Sequence, residues 1–136
     1  MIGYDIDGVF LPDLDLDKCP AQSDLIYLVT AHCIGTLFVP EGEYVLITGR
    51  PESIKADTQL WADRVFKQNP PLKIYHDNTD PNLAAQYKSK VLSENPDITV
   101  FIESSKPQVE YLKQHHPDRQ ILHFSTDVVL QNVSVL

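Results

Sequence analysis

Five short apolar runs, at residues 2–6, 44–48, 72–76, 98–102 and 120–124, recur along the chain with longer stretches between them. Each is rich in Ile, Val, Leu, Phe or Tyr and too short for a free-standing helix, so each reads as a strand. The stretches between them carry helical signals. Residues 20–37 set Leu25, Ile26, Val29, Cys33 and Leu37 close to one helical stripe, and residues 51–66 do the same with Ile54, Trp61 and Val65, so Trp61 is expected in the core. Asp80 can cap a helix with Pro81 in its first position, and Ala84, Tyr87, Val91 and Leu92 then share a side. Ser105-Lys106-Pro107-Gln108 has the pattern of a capping box, followed by Val109 and Leu112. Strands alternating with helices predict an α/β chain: a Rossmann-like three-layer α/β/α sandwich around a central parallel five-stranded sheet. Strands buried on both faces explain why the runs are nearly all apolar.

At 136 residues, the prediction is one domain over residues 1–136, with no internal repeat or linker. Hydrophobic residues make up 43% and charged residues 22%, enough for a core and against wholesale disorder. The net charge of −8 argues against a nucleic-acid-coating module, which needs clustered Lys and Arg, but leaves open a phosphate held by a metal ion. The N-terminus has neither the basic nor the apolar region of a signal peptide, and no run is long enough for a membrane span. Cys19 and Cys33 make no CxxC or zinc spacing and read as reduced thiols. The expectation is a cytoplasmic protein without a membrane partner.

In folds of this class ligands bind beyond the carboxyl ends of the strands. That places Asp5 and Asp7, Thr48, His76 and Glu103 where chemistry is to be sought. Asp5 and Asp7 stand two apart beside Gly8; they are either a polar strand terminus or a pair whose mutual repulsion calls for a cation, most simply Mg²⁺. Thr48-Gly49-Arg50-Pro51 ends a buried strand and starts a helix, where a hydroxyl and backbone N–H groups can meet a phosphoryl oxygen or merely cap the helix. Glu103 follows another apolar strand, as a ligand or an exposed loop acid, and Lys88 alone would be a surface lysine.

Taken in order, these features resemble the haloacid-dehalogenase-like (HAD) superfamily. Asp5-Ile6-Asp7-Gly8-Val9 matches its DxDG[VT] motif, Ile47-Thr48-Gly49-Arg50 its second motif, Lys88 its lysine, and Glu103 one acid of its final acidic pair. The chain departs from the pattern at Glu103-Ser104, where two aspartates are common, and Lys90 competes with Lys88 for the lysine position. Lys88 is preferred on its spacing to Glu103. The resemblance implies a Mg²⁺-dependent phosphohydrolase acting on phosphate monoesters. Asp5 would be the nucleophile that forms an aspartyl-phosphate, and Asp7 the general acid and then the base. Thr48, Gly49 and Lys88 would bind the phosphoryl group, and Asp5, the Asp7 carbonyl and Glu103 would hold Mg²⁺. A catalytically silent binding or regulatory module and a phosphotransferase are the alternatives.

The resemblance also implies a flap over residues 10–17 and leaves no room for a cap domain, either after that flap or between Thr48 and Leu72. An open crevice would suit a bulky phosphorylated substrate such as a nucleic-acid end, a phosphoprotein or a large metabolite. Arg50 reads as a substrate contact or a helix-start surface arginine, His76-Asp77-Asn78 as a crevice rim or a turn, and His115-His116 as a partner of the helix C-terminal dipole or merely solvated. Asp13, Asp15 and Asp17 lack the glycine and terminal glutamate of a calcium loop. The tail over 125–136 reads as an edge strand, a packing arm or a dimer contact.

Overall fold

The computed structural model describes residues 1–12, 35–77 and 83–126. The helix expected over 20–37, most of the flap over 10–17, Cys19 and Cys33, Asp80 with Pro81, and nearly all of the tail lie outside these residues.

Five strands form one sheet: β1 (Ile2–Tyr4), β2 (Tyr44–Pro51), β3 (Ile74–Asp77), β4 (Val100–Glu103) and β5 (Gln120–His123). All pairings are parallel, in the order β3-β2-β1-β4-β5. Among the described residues three α-helices accompany them: α1 (Lys55–Val65), preceded by a 3-10 turn at Glu52–Ile54, α2 (Ala84–Glu94) and α3 (Lys106–His115). The Rossmann-like α/β architecture expected from the sequence is present.

Two apolar clusters, one on each face, make the sheet a middle layer. Tyr4, Tyr44 and Leu46 pack with Phe10, Phe66 and the α1 residues Trp61 and Ala62. Val45, Ile47, Phe101 and Ile121 pack with Val91 and Leu92 of α2 and Val109 and Leu112 of α3. Successive residues of β2 thus serve opposite faces, which is why the run from Tyr44 to Ile47 has no polar break. Beyond Ile47 the strand continues to Pro51, farther than its apolar run, with a shift of register against β3 between Thr48 and Pro51, and Arg50 reaches Thr58 of α1.

The chain lays β2 and β3 on one side of β1, then crosses back to place β4 and β5 on the other. Order reverses between β1 and β4, and in folds of this class the carboxyl ends at such a reversal are where a ligand crevice is expected. Asp5 follows β1 there and Glu103 ends β4. Between β2 and β3 the chain makes only the 3-10 turn, α1 and a loop, with no inserted domain. Among the described residues no helix is long and apolar enough to cross a membrane.

Trp61 is fully buried, makes tilted and edge-on contacts with Phe10 and Phe66, and donates its indole N–H to the Gly35 carbonyl at 3.0 Å. Truncating it removes the largest side chain of that layer and orphans a carbonyl. Trp61→Ala should cost about 3–5 kcal/mol of unfolding free energy, read as a lower urea midpoint at unchanged slope. A loss under about 1 kcal/mol would show that the layer repacks around the gap.

Candidate active site

The site is built from both faces of the sheet. On the α2 face, Asp5 remains paired with β4 through its N–H to the Ile102 carbonyl at 2.9 Å. Its side chain is 8% exposed and meets Lys88, whose Nζ lies 3.2 Å from Asp5 Oδ1 and 2.8 Å from Glu103 Oε2. The ammonium is buried between the two acids, whereas Lys90, two residues further along α2, is exposed. Lys88 is therefore the lysine brought to Asp5.

Burial first, and then the negative charge of Glu103, push the Asp5 carboxyl up to about 7; Lys88 and the Ile6 N–H pull it back down. Burial alone would lower Lys88, but attraction to Asp5 and Glu103 outweighs it and holds the ammonium above the usual lysine range.

Each Glu103 oxygen has a partner: Oε2 takes Lys88, and Oε1 accepts the Ser105 N–H at 3.1 Å. This second bond modifies the capping box expected at α3. Ser105 Oγ does accept the Gln108 N–H, at 3.5 Å, but Glu103 takes the Ser105 N–H that Gln108 would have received. Gln108 Oε1 is left buried without a partner.

The Ser104 hydroxyl lies 3.1 Å from Asp5 Oδ2 and 2.8 Å from the Asp7 carbonyl oxygen. Two oxygens assigned to the metal thus converge on Ser104, not on Glu103. The turn after β1 arranges this. Gly8 adopts φ 83°, a conformation costly for other residues, and its N–H bonds the Leu11 carbonyl at 3.0 Å. His123 Nε2 lies 3.0 Å from the Ser104 carbonyl and secures the other side.

On the α1 face, Arg50 departs from both of its sequence readings. It is 1% exposed and grips Asp7 with both arms, Nε to Oδ2 at 2.8 Å and Nη2 to Oδ1 at 2.7 Å. Its Nη1 lies 3.4 Å from Thr58 Oγ1, and that hydroxyl donates to the Ile54 carbonyl at 2.9 Å. The strand's extension past Thr48 carries Arg50 inward. The signal was in the sequence: residues 44, 46, 48 and 50 alternate onto one face if the strand is allowed to continue.

Thr48 is buried, and its Oγ1 accepts the Arg50 N–H at 3.1 Å, which leaves the hydroxyl proton to donate elsewhere. Gly49 is partly exposed at the end of β2, and a Cβ there would meet Ala84 Cβ of α2 at 3.3 Å. The absence of a side chain lets the strand end approach the start of α2. His76 is buried with Nδ1 3.3 Å from the Arg50 carbonyl, and burial, reinforced by the Arg50 and Lys55 charges, lowers its pKa. It stands against the Arg50 backbone and helps line a cavity with Glu52, Lys55, Lys73 and Tyr87. His116 is likewise buried, 2.7 Å from Ser89 Oγ, rather than solvated, while His115 is exposed and stacks on Tyr111.

Among the described residues no three His, Cys, Asp or Glu side chains form a ready ligand set. What converges is a carboxylate, a backbone carbonyl and a hydroxyl, the hard oxygens that Mg²⁺ takes when it keeps several waters. No family model matches the chain, and no curated protein and no solved structure matches it.

The Asp5 shift has a linked cost. With its folded pKa raised from 3.8 to about 7, the native state holds a proton that the unfolded chain releases, so stability falls as pH rises from about 4 to about 7 and then levels. Asp5→Asn removes that penalty. In metal-free buffer the variant should match wild type near pH 4 and exceed it by roughly 1–4 kcal/mol at pH 8. Parallel urea titrations measure this; a variant less stable at pH 8 would show that Lys88 needs the Asp5 charge more than Asp5 resents burial.

Proposed function

We propose that the chain is a Mg²⁺-dependent phosphohydrolase of the HAD-like type, acting on phosphate monoesters. The observation that carries this reading is the setting of Asp5. It follows the central strand, with an ammonium on one oxygen and a hydroxyl, shared with the Asp7 carbonyl, on the other.

The chemistry follows from the residues. An Asp5 oxygen attacks phosphorus, the bond to the leaving oxygen breaks, and Asp7 supplies the proton that oxygen needs. Asp7 then takes a proton from water as that water attacks phosphorus, the Asp5–phosphorus bond breaks, and free phosphate leaves. Lys88 holds positive charge beside the reacting oxygen. Thr48 has a hydroxyl proton, and Gly49 a backbone N–H, to offer the phosphoryl oxygens. Asp5, the Asp7 carbonyl and Ser104 would hold Mg²⁺, which, when bound, screens an anionic substrate from an anionic nucleophile. Glu103 serves in this reading as the partner of Lys88, and Ser104 takes the place first given to it.

The described crevice has no cap between β2 and β3, which supports a bulky phosphorylated substrate. Ser104 also favours a second reading. A neutral oxygen where an acid is usual weakens cation binding, as a silent binding or regulatory module would tolerate.

A panel of phosphate monoesters, assayed for phosphate release with and without Mg²⁺, tests the choice. The expected result is Mg²⁺-dependent release that Asp5→Asn or Asp5→Ala lowers by several orders of magnitude. More than about a tenth of the rate in either variant would exclude Asp5 as nucleophile. The metal assignment has its own check in the Mg²⁺ dependence of thermal stability. Ser104→Asp should lower the half-saturating Mg²⁺ about tenfold, and Glu103→Gln should change it less. The opposite order would return Glu103 to the metal.

A further inference from the structure

We infer that Arg50 is the positioning residue for Asp7: it fixes the carboxylate that serves the leaving group and does not itself touch substrate. The inference rests on the phosphohydrolase reading and deepens it.

The geometry separates Arg50 from a substrate-binding arginine. Its side chain is 0% exposed, whereas that of Asp7 is 19% exposed, so a molecule entering the crevice meets the acid before the guanidinium. The grip is two-armed, 2.7 and 2.8 Å, the planar fork that sets a carboxylate's orientation as well as its place. The fork is also held from behind. Thr58 Oγ1 sits 3.4 Å from Nη1, Thr48 Oγ1 accepts the Arg50 N–H, and His76 stands against the Arg50 carbonyl. An arginine free to swing toward a phosphate would not be fastened at its backbone and at its tip.

Asp7 needs such a brace. It lies in the turn beyond β1, where pairing with β4 no longer holds the chain. A carboxylate there could turn about its side-chain bonds, yet proton delivery requires it within hydrogen-bond reach of one leaving oxygen. The fork occupies one lone-pair direction on each Asp7 oxygen and leaves others for a proton, the leaving group or water.

Leaving groups give the test. An alkyl phosphate must expel an alkoxide unless a proton arrives, whereas p-nitrophenyl phosphate expels a stable phenolate unaided. Wild type, Arg50→Gln, Arg50→Lys, Asp7→Asn and the Asp7→Asn/Arg50→Gln double variant are assayed for kcat/KM on both esters. Arg50→Gln should lose roughly 10²–10³-fold on the alkyl ester and under about tenfold on the nitrophenyl ester, as Asp7→Asn does. Arg50→Lys, which keeps the buried charge, should recover part of the alkyl-ester rate, and it remains a usable variant if Arg50→Gln does not fold. In the Asp7→Asn background, Arg50→Gln should cost under about threefold more. Equal losses on the two esters, or additive losses in the double variant, would overturn the inference and leave the phosphohydrolase reading intact. No turnover by wild type, or activity surviving in Asp5→Asn, would defeat that reading and this inference with it.

Discussion

A lysine ammonium buried between two carboxylates sets the terms for the rest of the site. Lys88 is nearly sealed from water, and an ammonium in that setting needs anionic partners on hand. Asp5 and Glu103 supply them from neighbouring strands, which requires β1 and β4 to be adjacent and their ends level. The crossing of the chain from β3 back to β4 is what makes them so. Such a group is a poor way to gain stability, because well-packed apolar residues often do as well. Burial first, and then the neighbouring Glu103 charge, leave Asp5 reluctant to ionise near neutrality. An arrangement that costs stability and concentrates charge at a crevice makes sense as chemistry.

The two faces of the sheet divide the work. From the α2 side comes the cation that faces Asp5; from the α1 side comes the cation that faces Asp7. Period-two alternation along β2 makes this division possible. It turns Tyr44 and Leu46 toward α1, where Arg50 also reaches Thr58, and gives Gly49 to α2, where its missing side chain admits Ala84. Ser104 joins the halves, since its one hydroxyl reaches the side chain of Asp5 and the backbone of Asp7.

The sheet and its helices were legible because apolar runs report burial, and burial on both faces reports a parallel sheet. Asp5, Asp7, Thr48 and Glu103 were legible because each sits at or near a strand end; Lys88, which alone read as a surface lysine, was singled out only by the motif resemblance. What the sequence hid were choices among hydrogen-bond partners. Ser105 and Gln108 satisfy a capping pattern, yet Glu103, two residues upstream, outcompetes Gln108 for the Ser105 N–H with a charged oxygen. The role of Ser104 was hidden for a related reason: which of two adjacent residues turns toward Asp5 depends on where β4 stops, and strand ends are the least certain feature of an apolar run. Arg50 looked like a helix-start arginine because the apolar run stops at Ile47, whereas the backbone pairs on to Pro51. His76 follows from the same extension, because the longer strand puts the Arg50 carbonyl within its reach.

Charge completes the argument. Three acids, Asp5, Asp7 and Glu103, face two bases, Arg50 and Lys88, within a few bonds of one another. Each base is held by ion pairs, so neither can move to meet a phosphoryl dianion without stranding an acid in a nearly dry site. Among the described residues these two cations organise the three acids. In the proposed phosphohydrolase Lys88 adds its charge beside the reacting oxygen, and further positive charge would come from a bound metal ion, placed where the acids are least compensated. Asp5 Oδ2 and the Asp7 carbonyl answer that description, because only a hydroxyl stands between them. One hydroxyl proton shared between two oxygens serves each weakly, which in the proposed reading leaves them open to a divalent ion.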